Sequence, residues 1–322
     1  MRYEIWDVFA EAPLQGNALA VVHDDVGLPK EARQRWAREF ALSETVFVQH
    51  GDGDDPRLRI HTPTRELPMA GHPTIGAAFA LDAAGRAQGA RLQVGLRAGP
   101  TQVRLDRDED GRLVSAWMDQ GRPRRTARVA ARERVAAALG LHLPDLHASL
   151  PIEAWSAGNP FLLVPLRHET VLARAWLRLA DLDPSWIDPE HRAVLAFVPP
   201  SGGGPVRARM FGEVLGMIED PGTGSAHGPL GAYLIRHAQR PAPSAGRPTC
   251  VTSLQGVEMG RPSRIALRMR RPDASDAQPK DVQARGAANG GHDDDLADVA
   301  VEVGGSAVLV AHGTLLHDGR RS

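Results

Sequence analysis

The sequence predicts an α+β protein built from two similar domains, and three observations carry that prediction. A glycine-rich loop opening an apolar helix is written twice, as Met69-Ala-Gly-His-Pro-Thr-Ile-Gly-Ala-Ala78 and as Asp220-Pro-Gly-Thr-Gly-Ser-Ala-His-Gly-Pro-Leu-Gly-Ala232. Both copies contain the spacing His-x-x-x-Gly-Ala, starting at His72 and His227, and both follow short apolar runs of strand length. With 322 residues, 42% apolar and 24% charged, the chain can fill two ordinary cores of ~150 residues each.

In the first half, residues 3–9 alternate as a strand, and a turn around Gly16-Asn17 leads into the apolar run 18–22. Residues 30–41 fit a helix with Glu31 and Glu39 on its polar face and Trp36 and Phe40 four apart. Residues 45–48 and 58–60 read as strands, 74–84 as a helix, and 92–94, 102–105 and 113–118 as further strands. This half forms the predicted domain 1–120, and the polar, turn-rich 121–129 forms a connector to the second domain, 130–322.

The second half offers a helix at 130–139, strands at 152–156 and 161–165, a helix at 168–178 and strands at 193–198 and 207–211. Its glycine loop enters a helix over 228–237. Residues 199–205 read as a turn, and 270–296, rich in Ala, Gly, Asp and Gln, as a flexible insertion. Two short β runs around Gly304-Gly305 are expected to complete the second sheet.

Several function classes lose support at once. The formal net charge of −1 gives no field for nucleic acid or anionic membranes. No run of ~18 apolar residues and no signal-peptide pattern occurs, so the expectation is a cytoplasmic protein. The single cysteine, Cys250, excludes an intramolecular disulfide and two-thiol chemistry. Lys30 and Lys280, the only lysines, lie in polar or turn settings that do not suit a Schiff base. Gly222 and Gly224 lack the third glycine of a dinucleotide fingerprint, and the thirteen histidines form no metal-ligand spacing. No cofactor or metal is expected.

The residues that remain suit proton transfer. Glu44 sits in the apolar run Leu42-Ser-Glu-Thr-Val-Phe-Val48, where burial would raise its pKa toward neutrality, although an exposed strand-edge glutamate has the same local pattern. His72, between Gly71 and Pro73, is a second candidate, and a structural hydrogen-bonding histidine fits the same loop equally well. Asp220 precedes Pro221 and is a turn former or a cleft carboxylate, with Thr223, Gly224 and Ser225 able to bind substrate. Asn17 is a turn former or a residue that orients a substrate amide or carboxylate. His227, one helical turn further on, ranks below His72. Two facing helix N-termini would hold an anion between them.

Six ordered motifs then carry a family resemblance: Gly16-Asn17-Ala-Leu-Ala-Val-Val22, Ser43-Glu44-Thr-Val-Phe47, Thr62-Pro63 with Glu66-Leu-Pro68, Gly71-His72-Pro-Thr-Ile-Gly-Ala77, Glu219-Asp220-Pro-Gly-Thr-Gly-Ser225, and Gln255-Gly256 with Gly260-Arg-Pro-Ser263. Together they resemble the PhzF-like family of phenazine biosynthesis. The resemblance implies the diaminopimelate-epimerase fold, two pseudo-symmetric domains, each a curved, mostly antiparallel sheet around a central helix. It also implies a homodimer and a cofactor-independent isomerase acting on a small carboxylate-bearing substrate such as a dihydroanthranilate. By motif match, Glu44 is the proton carrier, His72 and Asp220 assist, and Gly71 and Ser225 line the pocket.

The chain departs from the family pattern at Ala18, His61 and Gly222, and the last two are expected to alter pocket shape. Related two-thiol epimerases carry a cysteine in each half where this chain has Gly71-His72 and Gly224-Ser225. Two other readings stay open: an epimerase using carboxylate and imidazole, and a metabolite-binding protein without turnover.

Overall fold

In the computed structural model, residues 1–25, 27–51, 55–181, 193–212, 218–272 and 299–316 are described. Their elements run β1 (Arg2–Val8), β2 (Asn17–His23), α1 (Lys30–Phe40), β3 (Glu44–Gln49), β4 (Arg57–His61), β5 (Glu66–Leu67), α2 (Gly71–Ala83), β6 (Arg91–Leu96), β7 (Gly99–Arg107) and β8 (Leu113–Asp119). They continue β9 (Arg124–Val129), α3 (Arg132–Ala138), β10 (Ile152–Ser156), β11 (Pro160–Pro165), α4 (Glu169–Arg174), β12 (Ala193–Val198), β13 (Val206–Gly212) and β14 (Glu219–Asp220). The chain ends with α5 (Gly224–Arg236), β15 (Thr249–Gln255), β16 (Ser263–Arg270), β17 (Ala300–Gly305) and β18 (Ala307–Thr314). The class is α+β, as expected. The predicted insertion 270–296 lies, from residue 273 on, outside the described residues.

The chain divides into two compact units. One comprises Met1–Met118, Met259–Arg264 and the segment from Gly304; the other comprises Asp119–Glu258 and Ile265–Val303. In the first, β1 pairs antiparallel with β2, β2 pairs parallel with β3 across α1, and β4 pairs antiparallel with β3 and β5. After α2 the chain returns as β6, parallel to β4, and β7 and β8 follow antiparallel.

The second unit repeats that sequence of pairings. β10 and β11 are antiparallel, β12 lies parallel to β11 after α4, and β13 pairs antiparallel with β12 and β14. After α5, β15 returns parallel to β13. Thus β1 to β6 correspond to β10 to β15, and α2 to α5.

The correspondence reaches side chains. Glu4-Ile5-Trp6 on β1 matches Glu153-Ala154-Trp155 on β10, and in each the indole Nε1 donates to the glutamate, at 2.8 and 2.9 Å. A histidine, His23 or His237, approaches the same carboxylate, at 3.3 and 2.9 Å. Both tryptophans follow a register shift in the ladder to the outer neighbour, β18 for β1 and β9 for β10.

Each unit encloses its motif helix. In α2 every residue from Gly71 to Leu81 is buried, and in α5 only Ser225 and Arg236 escape burial, as expected of a helix apolar all round. Gly76 lets α2 approach the sheet, since a Cβ there would lie 2.5 Å from Leu19 and 2.7 Å from Val8 side-chain carbons. Gly231 does the same for α5, with Met269 and Val301 side-chain atoms 3.1 Å away. Pro229 lies inside α5.

Four expectations need correction. The connector 121–129 is not irregular throughout, because Arg124–Val129 is strand β9, paired with β10; its run Arg124-Arg-Thr-Ala-Arg128 conceals the strand behind charge. The last β run does not complete the second sheet: β18 pairs antiparallel with β1, and Leu315 N–H reaches Met1 O at 2.7 Å. Strands β15 and β16 were not anticipated, and alternating burial along both explains them as half-buried strands. Both motif helices begin within their loops, at Gly71 and Gly224.

Candidate active site

The structure brings four of the predicted residues together in the first unit. Asn17 opens β2, Glu44 opens β3, and Gly71 and His72 open α2. Parallel pairing of β2 with β3 sets Leu19 opposite Glu44, so Asn17 and Glu44 lie at the same end of adjacent strands. Glu44 is 3% exposed and His72 4%, which decides between the buried and strand-edge readings of the glutamate.

His72 Nε2 lies 3.5 Å from Glu44 Oε2. Its Nδ1 lies 3.5 Å from Asn17 Nδ2, and Ser43 Oγ donates to Asn17 Oδ1 at 2.9 Å. Burial lowers the His72 pKa to about 3, so the ring is neutral at physiological pH. The first N–H groups of α2 have no acceptor within their own helix and form its positive end. A buried carboxylate, a neutral imidazole and a helix N-terminus together form a site that can exchange a proton and stabilise nascent negative charge.

The second unit holds the remaining predicted residues. Asp220 is buried on β14, Thr223 is the N-cap of α5, and Gly224 and Ser225 begin the helix. Thr223 Oγ1 donates to Asp220 Oδ2. Gln255 on β15 knits the loop: its Nε2 donates to Asp220 O at 2.6 Å and to Thr223 Oγ1 at 3.1 Å, while its Oε1 accepts from Thr223 N–H at 3.2 Å.

The two motifs are repeats, but not in the register their histidines suggest. Glu66 and Glu219 open β5 and β14, and the helices start five residues later at Gly71 and Gly224. His72 therefore matches Ser225, and His227 matches Thr74. The two members of that second pair do the same job: Thr74 Oγ1 donates to Ala70 O at 2.8 Å, and His227 Nδ1 donates to Thr223 O at 2.8 Å. With its other nitrogen, Nε2, 2.8 Å from Ser253 Oγ, His227 is a structural residue; burial lowers its pKa to about 4. In the same register Asp220 occupies the position of Leu67, a carboxylate where the first half has an apolar side chain.

His61 has a structural role of its own. It is fully buried, receives Arg33 Nε at 3.4 Å, meets Gln34 Oε1 at 3.1 Å and stands edge-on to Phe47. It thereby ties β4 to α1.

Sequence reasoning gave no role to Ser43, Ser253 or Gln255. Ser253 and Gln255 are fully buried and two apart on one strand face, a signal available only once β15 is recognised. Among the described residues, no three His, Cys, Asp or Glu side chains are grouped as metal ligands, and no helix is long and apolar enough to cross a membrane.

A sequence model of the phenazine biosynthesis-like protein family matches residues 6–313. The chain belongs to this family.

A trans-2,3-dihydro-3-hydroxyanthranilate isomerase of Pseudomonas aeruginosa is 39% identical over 276 residues, 83% of this chain and 90% of that protein. The uncharacterised isomerase YddE of Escherichia coli is 31% identical over 88% of this chain and 93% of its own length. Among solved structures, a phenazine biosynthesis protein of the PhzF family from Bacillus anthracis matches with a TM-score of 0.80 at 26% identity, covering 98% of this chain and 99% of that one. A hydroxyproline epimerase from Agrobacterium vitis, 12% identical with a TM-score of 0.60, shares the fold, covering 97% and 91% of the two chains. Within the phenazine biosynthesis-like family the present chain is an isomerase of the PhzF type.

Proposed function

We propose that this protein isomerises a small carboxylate-bearing metabolite by proton transfer, with Glu44 as the proton carrier and no cofactor. One observation carries the reading: a buried carboxylate meets a buried imidazole, kept neutral, at 3.5 Å beside the first turn of α2. Glu44 removes a proton from a substrate carbon adjacent to a double bond. The electron pair left behind spreads through the conjugated system, where the helix N–H groups stabilise its charge. Protonated Glu44 then returns the proton to the far carbon of that system. The double bond moves, no electrons are gained or lost, and Glu44 is restored.

Asp220 is assigned the assisting acid/base role alongside His72, and Asn17, Gly71, Thr223, Gly224 and Ser225 bind the substrate. The substrate class proposed is that of the P. aeruginosa relative, a cyclic dihydro-hydroxy amino acid carrying a carboxylate. A cytoplasmic location and a homodimer belong to the same proposal, with no nucleic acid or membrane partner.

The experiment is incubation of the protein with trans-2,3-dihydro-3-hydroxyanthranilate in heavy water, followed by NMR. Movement of the double bond supports the reading. Deuterium exchange at a stereocentre with unchanged connectivity would mean an epimerase, and substrate recovered unaltered would mean that this compound is not turned over.

A further inference from the structure

The contacts around His72 determine more than its position. Ser43 Oγ reaches the oxygen of the Asn17 amide at 2.9 Å, and a hydroxyl facing that oxygen can only donate to it. The opposite end of the amide, Nδ2, which can only donate, is the end that faces His72 Nδ1 at 3.5 Å. Nδ1 must then present its lone pair. A neutral imidazole has one ring proton, and the remaining place for it is Nε2, the nitrogen 3.5 Å from Glu44 Oε2. All four side chains are buried, so solvent does not compete for these contacts.

We infer that Ser43, acting through Asn17, is a positioning residue that fixes His72 in its Nε2–H tautomer and so places the protonated ring nitrogen on the Glu44 side, 3.5 Å from the carboxylate. This rests on the proton-carrier reading of Glu44 and extends it. A protonated nitrogen beside the carboxylate, in place of a lone pair, is the arrangement that a proton-abstracting carboxylate requires. In the opposite tautomer the Nε2 lone pair would lie beside the carboxylate instead, an arrangement suited to an acid rather than a base. The low His72 pKa agrees with a ring that carries one proton rather than two.

The test is the ¹⁵N spectrum of histidine-labelled full-length protein near neutral pH without substrate, with His72 assigned by comparison with His72→Asn. The expected result is a protonated, pyrrole-type Nε2 and an unprotonated Nδ1. In Ser43→Ala the two ring-nitrogen signals should move toward each other as both tautomers populate. The acid limb of its kcat/KM profile should shift upward by about one pH unit, and kcat should fall about tenfold with KM little changed. In Asn17→Asp, whose carboxylate can only accept, the proton should move to Nδ1. A wild-type ring protonated on Nδ1 would overturn the inference, as would a Ser43→Ala spectrum and pH profile identical to wild type. Because the spectrum is recorded without substrate, it reports on the relay whether or not Glu44 proves to be the proton carrier.

Discussion

His227 Nδ1 donates to Thr223 O at the same helical position, four residues on, at which Thr74 Oγ1 donates to Ala70 O, both at 2.8 Å. One histidine of the apparent pair is therefore structural, and the chemistry proposed here belongs to the other. His227→Ala would leave Ser253 Oγ without its buried partner, leave Thr223 O with the Ala226 N–H as its remaining donor, and open a cavity. The expected cost is roughly 2–4 kcal/mol of stability, read from denaturant unfolding, with kcat of the folded fraction falling less than tenfold. A loss of turnover comparable to that of a Glu44 variant would contradict the structural assignment.

Gly76 is required for packing. In Gly76→Ala the new methyl would meet Leu19 and Val8 side chains at 2.5 and 2.7 Å, closer than carbon atoms approach. The expected destabilisation is about 1–3 kcal/mol. Gly231→Ala, with its nearest neighbours at 3.1 Å, should cost less. Urea midpoints of the two variants give the comparison, and equal midpoints would show that α2 can shift away from its strands.

Acid should destabilise the protein through its buried histidines. Burial lowers the folded-state pKa from the usual 6.5 to about 3 for His72, and to about 4 for both His227 and His61. The unfolded chain therefore binds more protons than the folded chain below 6.5. Their contribution is complete above pH 6.5 and is lost as pH falls toward 4, at up to ~1.4 kcal/mol per pH unit for each histidine. Thermal midpoints from pH 7.5 to 4.5 should fall accordingly, and a flat profile would show that these rings are protonated without penalty.

Glu153 should matter more to stability than its counterpart Glu4. Burial pushes the Glu153 carboxyl up, but hydrogen bonds from His237 and Trp155 more than offset this and leave it below the usual range. Glu153→Ala would strand partners on a fully buried site, at a cost of about 3–5 kcal/mol. Glu4→Ala should cost less, because its arginine partner Arg2 is half exposed. Equal losses in calorimetry would contradict this ranking.

Much of the fold was legible because its elements obey simple periodicities. The runs that became β2, β3 and β12 are apolar enough to read as strands, and α1 announces itself through Trp36 and Phe40. What failed was information that is not local. The charged run of β9 reads as a linker until β10 pairs with it, and nothing near Ala307–Thr314 says that its partner is β1, some three hundred residues earlier. At the site, residue types identified Glu44 and His72, whereas the true repeat register needed the helix starts at Gly71 and Gly224. Ser43 stood in a recognised motif, but its role emerged only when β2 and β3 brought it to Asn17.

The central claim, that Glu44 carries the proton, is tested most directly by the kcat of Glu44→Gln on trans-2,3-dihydro-3-hydroxyanthranilate beside the wild type. The amide keeps the shape of the side chain but cannot take up a proton at neutral pH. A fall in kcat of at least ~10²-fold with KM little altered is the expected result. Turnover within a few-fold of wild type would contradict the account.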